Sequence, residues 1–193
     1  MIKQLKLGIR SVLLIIIICF NFLNVFLLFR YFDIRLMASP GPRYRILHCL
    51  RGAEVSTILA SVRGWLAEHP GEVVLLDLQH LYSFRARDHA DLVTRLTQLF
   101  GELLCPWTQD LATLTLAKMR AAGTRVIVIY PALYQQPAPV PDPRVLEVFW
   151  PRALCPTPWP DTMDPCHLTT YMTRHLASHR NMDTASLFVS QVG

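Results

Sequence analysis

Asp33, Arg35 and His48 are the residues of this chain whose types and spacing suit a shared chemistry. In the run Arg30-Tyr31-Phe32-Asp33-Ile34-Arg35, polar and apolar residues alternate as they do on a β-strand. Residues two apart on a strand point to the same face, so Asp33 and Arg35 can project together while Phe32 and Ile34 pack behind them. His48 follows thirteen positions after Arg35. A carboxylate, a guanidinium and an imidazole suit phosphoryl transfer, because arginine grips phosphate with two parallel hydrogen bonds and histidine moves protons near neutral pH. The same spacing also describes a strand with solvated charges and an unrelated surface histidine.

The elements that must hold these residues alternate between strand and helix. A strand is expected over Arg30 to Met37, ended by Ala38-Ser39-Pro40-Gly41-Pro42, and a second over Arg45 to Leu50. Val55, Ile58, Leu59, Val62 and Leu66 recur at a helical period over Val55 to Glu68, and His69-Pro70-Gly71 stops that helix. Val73 to Leu78 is almost uninterruptedly apolar, the pattern of a parallel strand buried on both faces. Helices are expected over Asp88 to Leu103, Leu111 to Ala122 and Cys166 to His179, with strands over Thr124 to Tyr130 and Ser186 to Val192. A proline-rich loop, Gln135 to Pro143, precedes a short helical stretch. This alternation predicts an α/β fold with a parallel sheet, either closed into a barrel or open and doubly wound.

Several separated motifs then agree in order with one family. The Arg-Tyr-Phe-Asp-Ile-Arg run, Ile46-Leu47-His48, the stretch from Trp65 to His80, Leu104-Cys105-Pro106, Val126 to Tyr130, Trp159, Asp164-Pro165 and Phe188 to Val192 resemble the X domain of phosphatidylinositol-specific phospholipase C. The likeness is to the small animal proteins that carry only this domain, and it runs from Arg30 to the last residue. It implies an incomplete TIM-type barrel and a phosphoric diester hydrolase acting on phosphatidylinositol. By resemblance His48 is the general acid, Arg35 supplies the positive charge that calcium-dependent relatives take from an ion, and Asp33 steadies the site. Arg30, Asp77, His80 and Tyr130 are the candidate substrate contacts, with a capping or core role as the other reading for Asp77, Gln79 and His80. Arg30 has a second reading as a balance for Asp33. No cofactor and no metal are expected.

Two departures qualify the likeness. The family carries a first histidine, the general base, in a barrel segment before the Arg-Tyr-Phe-Asp motif, and further strands after the Ser-Gln strand. Neither has a match here, and Cys49 stands where the animal relatives usually have glycine. The chain therefore reads as an X domain shortened at both ends, its cleavage impaired, with a catalytically dead phosphoinositide-binding remnant as the alternative.

Before the motif, Val12 to Phe29 (VLLIIIICFNFLNVFLLF) carries no charge, with Lys3, Lys6 and Arg10 before it and Arg30 and Arg35 after it. A bilayer-crossing helix needs about 17 to 25 residues. A membrane anchor, a cleaved signal peptide and an apolar tail packed on the barrel all fit the segment. The chain is thus divided into 1–29 and 30–193, with membrane association expected and a cytoplasmic location otherwise.

Composition bounds the rest. The 193 residues suffice for one domain with a sizeable core, and 52% hydrophobic against 17% charged residues lies on the apolar side of ordinary soluble proteins. The formal charge of +5 suits either an anionic membrane surface or a generally solvated basic surface, and its scatter gives no patch for nucleic acid. Five cysteines at irregular spacings, without a C-x-x-C pair, point to free thiols in a reducing compartment. His69, His89, His167, His175 and His179 are expected on loop or helix surfaces without chemistry.

Overall fold

The computed structural model describes residues 30–40, 43–48, 50–108, 110–135, 137–140, 142–181, 186, 187 and 189. The apolar segment Val12 to Phe29 and Cys49 lie outside them. No helix among the described residues is long and apolar enough to cross a membrane.

Five strands form one open mixed sheet in the order β3-β2-β1-β4-β5. They are β1 (Tyr31–Ser39), β2 (Arg43–His48), β3 (Leu50–Glu54), β4 (Val74–Tyr82) and β5 (Val126–Ile129). β1, β4 and β5 run parallel, as the apolar runs predict. The sheet is not wholly parallel, however. The second expected strand, Arg45 to Leu50, is β2, set at Arg43–His48, and an unexpected β3 follows it; β2 runs antiparallel to both β1 and β3. β3 (Leu-Arg-Gly-Ala-Glu) is short, largely polar and at the sheet edge, so it carries no hydrophobic alternation that would announce it.

The helices are α1 (Val55–Glu68), α2 (Ala86–Phe100), α3 (Leu116–Ala122), α4 (Pro143–Val148) and α5 (Pro165–Asn181). α1 has the bounds its period predicts and buries Ile58, Leu59, Val62, Trp65 and Leu66. α2 begins earlier than Asp88, because Asp88 is spent on the cap: its Oδ2 accepts from the Arg85 amide at 2.9 Å. It ends earlier than Leu103, at Gly101, whose φ of +47° few other residues adopt. The helix expected over Leu111 to Ala122 is broken. Leu111–Thr113 is a single 3₁₀ turn, and the Thr115 hydroxyl then caps a separate α3 by accepting from the Lys118 amide. No strand forms at Ser186, Leu187 or Val189; Leu187 and Val189 instead donate to the carbonyls of Leu154 and Pro156.

Each sheet face has its own core. Ile34, Leu36, Tyr44, Ile46, Val74, Leu76, Leu78, Val126 and Val128 pack against α1 and α2 on the helix side. Val73, Ile127 and Ile129 pack on the other side with Cys105, Met119, Trp150 and Cys155. α2 is tied to β2 by Tyr44, whose hydroxyl donates to Asp91 at 2.7 Å while Arg95 Nε donates to the same carboxylate oxygen. The three described cysteines, Cys105, Cys155 and Cys166, are free thiols. Burial pushes the Cys155 thiol up to about 12, so it is a core residue rather than a nucleophile.

His89, expected on a surface, is instead buried under α2. It sits on the stripe Leu92, Val93, Leu96 and Phe100, and its Nδ1 lies 3.0 Å from the Tyr130 hydroxyl. Burial holds its pKa below the ordinary 6.5, so the unfolded chain takes up the proton first as pH falls. Stability from His89 is complete above the unfolded value, declines as pH drops past it, and is lost below the folded value. Thermal unfolding between pH 7.5 and 5.5 should therefore show a falling midpoint, and His89→Gln should flatten that dependence; an unchanged slope in the variant would remove this account.

Candidate active site

The side of the sheet away from α1 and α2 carries the polar residues in layers. Tyr31, Asp33 and Arg35 project there from β1, since Phe32, Ile34 and Leu36 belong to the helix-side core. The parallel register sets Tyr31 beside Leu75 and Asp33 beside Asp77. It then shifts, and Arg35 pairs with His80 rather than Gln79. This bulge changes the alternation of β4: Leu78 and Leu81 both pack on the helix side, and Asp77, Gln79, His80 and Tyr82 are left to the other face. Four of the residues singled out in the sequence, Asp33, Arg35, Asp77 and His80, thus stand on two adjacent strands at neighbouring levels.

Their states differ. Arg35 donates to both Asp33 oxygens, at 3.3 and 3.2 Å, in a pair that keeps 30% and 15% of its side chains exposed. Asp77 is fully buried and heavily engaged. Arg152 donates to its two oxygens at 2.7 and 2.5 Å, Tyr31 at 2.5 Å, and Gln79 at 3.3 Å. Burial, followed by the Asp77 hydrogen bond, raises the Tyr31 pKa far out of reach of solution pH, so its proton stays in place. Burial works against the Arg152 charge but Asp77 outweighs it, and the guanidinium pKa rises. Arg152 also reaches the Cys155 carbonyl and the Thr157 hydroxyl, tying the segment after Trp150 to the sheet. Asp77 is therefore the anchor beneath the Asp33–Arg35 pair. His80 lies exposed above it, its ring 5.8 Å from that of Tyr82.

The other singled-out residues are not in this group. His48 ends β2, half-buried, beyond the last β1–β2 pair Leu36–Ile46 and paired with Leu50 at the start of β3. Tyr130 is buried on the helix side of the sheet, against His89 and edge-on to Phe149. Arg30 lies at the entry to β1, where it donates to Glu72 at 2.5 Å and its guanidinium sits 4.7 Å from the Trp65 ring centre. Arg30 therefore does not balance Asp33. Its ion pair holds the Glu72 carboxyl below the usual carboxylate range. Of the tryptophans near these elements, Trp65 and Trp150 are buried and Trp159 is exposed. Sequence reasoning missed Arg152 altogether. The one available signal was Asp77 itself, a carboxylate within an apolar strand, whose burial in charged form calls for a compensating partner. Among the described residues, no cluster of histidine, cysteine, aspartate and glutamate could hold a metal ion.

No family model matches the chain. It is 31% identical over 170 residues to human PI-PLC X domain-containing protein 3, an alignment covering 84% of this chain and 48% of that protein. It is 28% identical over 165 residues to human PI-PLC X domain-containing protein 2, with 84% and 50% covered. Human PI-PLC X domain-containing protein 1 matches at 30% over 115 residues, with 51% and 35% covered. The chain thus spans about half the length of the curated relatives it matches most extensively. With the collinear motifs and the α/β fold, this relationship makes the chain a member of the family of PI-PLC X domain-containing proteins.

Proposed function

We propose that the chain recognises the headgroup of phosphatidylinositol on the Asp33–Arg35 face and carries part of a phospholipase C-type site, with cleavage impaired. The observation that carries this reading is the register: Asp33 beside Asp77 and Arg35 beside His80, on the sheet face that bears neither α1 nor α2. We read the five strands as an arc of a TIM-type barrel, in which functional groups gather toward the C-terminal ends of parallel strands. The apolar segment Val12 to Phe29 would hold this face near its lipid.

The chemistry sets three requirements. Attack of the inositol 2-hydroxyl on the neighbouring phosphorus forms a cyclic phosphate and expels diacylglycerol. It needs a base for the hydroxyl, an acid for the departing glycerol oxygen, and positive charge on the phosphoryl oxygens. Arg35 supplies the charge, and Asp33 fixes the plane of its guanidinium while accepting from an inositol hydroxyl. His48, at the end of β2, is the candidate acid. Binding without cleavage is the second reading, which the absence of a histidine before His48 in the sequence favours.

Titration calorimetry with glycerophosphoinositol tests recognition. Arg35→Ala should weaken binding at least tenfold, consistent with loss of one charge-assisted pair of hydrogen bonds at about 1.5 to 3 kcal/mol. Tyr130→Phe should leave it unchanged. Chelator should have no effect, since a guanidinium stands where an ion would be needed. A tenfold loss with chelator, restored by calcium, would overturn the role given to Arg35.

A further inference from the structure

One end of the sheet carries arginines that the proposed site does not use. At the close of the β1–β2 hairpin, Arg43 pairs with Ser39 and Arg45 with Met37, and Met37 also pairs with Tyr82 across the parallel ladder. The loop after β4 returns to the same place. The Phe84 ring lies 4.8 Å from the Tyr44 ring, so Arg85 and Arg43, next in sequence to these two rings, flank a single contact. Arg87 follows with 78% of its side chain exposed, and Tyr82 is 43% exposed. The nearby acids are engaged: Asp88 caps α2 and lies 3.9 Å from Arg87 Nε, a long pair that leaves the Arg87 side chain mostly exposed, and Asp91 holds Tyr44 and Arg95. The result is a cationic rim of Arg43, Arg85 and Arg87 with one amphipathic aromatic, at the end of the sheet toward which Arg35 and His80 lie.

We infer that this rim docks the domain onto an anionic lipid surface, with Tyr82 at headgroup level and the three arginines on lipid phosphates. The charge is complementary to such a surface, and an exposed tyrosine among arginines suits the boundary between water and acyl chains. A lipid plane is favoured over a nucleic acid because the rim bears one exposed aromatic rather than a row of stacking platforms. The inference rests on the proposed headgroup site only for the side on which lipid is presented. Phosphatidylserine contains no inositol, so failure of docking and failure of headgroup recognition are read separately.

The test is hydrogen exchange on the full chain in phosphatidylcholine nanodiscs, with and without phosphatidylserine. Peptides covering 43–48 and 82–88 should be protected only in the anionic discs. Each basic residue near such a surface is worth roughly fivefold in affinity, so Arg43→Glu with Arg87→Glu should weaken docking about 25-fold or more and abolish the protection. Lys118→Glu, on α3 at the other end of the sheet, should retain it. Equal protection in neutral discs, its survival in the double variant, or its loss in Lys118→Glu would each overturn the proposal. The same protection produced by duplex RNA in place of lipid would overturn it as well.

Discussion

Arg152→Ala should destabilise the folded domain by about 3 to 5 kcal/mol, a large part of the 5 to 15 kcal/mol that a domain of this size commonly has. The reason is the state in which it leaves Asp77. That carboxylate has 0% exposure, and Arg152 supplies its only cationic hydrogen bonds among the described residues. Tyr31 and Gln79 would remain as neutral donors, too few to hold a buried charge. The figure lies toward the lower end because Arg152 keeps 32% of its side chain exposed. Urea unfolding of the variant should show a lower midpoint with little change in slope. Removing both charges should cost much less. Asp77→Leu with Arg152→Met should recover most of the loss, since a buried pair replaced by apolar residues of similar volume is often neutral or better. A double variant as unstable as Arg152→Ala would show that the pair does more than cancel its own charge.

This pair also marks where sequence reasoning runs out. α1 was legible to the residue, because five apolar positions at helical spacing and a His-Pro-Gly stop all state the same thing. The β4 strand was legible from its apolar run, and the placement of Asp33 and Arg35 on one face from simple alternation. Local patterns carry that information because the side-chain period is set by the backbone. The partnership of Asp77 with Arg152 spans 75 positions and leaves no periodic trace. The bulge at Gln79 is similar in kind: one extra residue moved His80 onto the face of Arg35, and nothing in Leu-Gln-His announces it. The place of His89 is readable in the sequence. Its spacing to Leu92, Val93, Leu96 and Phe100 places it on the buried stripe of α2, but histidine is polar enough to be assigned to a surface by type alone. His48 shows the limit of alternation. Motif order makes it a partner of Arg35, while the irregular pairing of β2 with β3 beside it takes its orientation out of reach of simple alternation.

The chain as it stands should release little cyclic inositol phosphate from phosphatidylinositol in mixed micelles, roughly 100- to 10,000-fold less than an X domain with a positioned base. No histidine precedes His48 in the sequence, and β1 and β4, which carry Asp33, Arg35 and Asp77, offer His80 as their one imidazole, exposed and stacked on Tyr82. An acid without a base can protonate the leaving oxygen but leaves the 2-hydroxyl a poor nucleophile. Replacing Met1 to Phe29 with the segment that precedes the matching motif in PI-PLC X domain-containing protein 3 should raise cleavage by a comparable factor. His48→Ala or Arg35→Ala in that chimera should then abolish it, and Tyr130→Phe should not, because Tyr130 serves the helix-side core. Asp77 predicts a further distinction. Asp77→Asn should lower stability and cleavage together, as an anchor would, whereas a substrate contact would raise KM at unchanged stability. Robust turnover by the unmodified chain, lost on His80→Ala but kept in His48→Ala, would assign proton transfer to the exposed imidazole and reverse the roles argued for the two histidines.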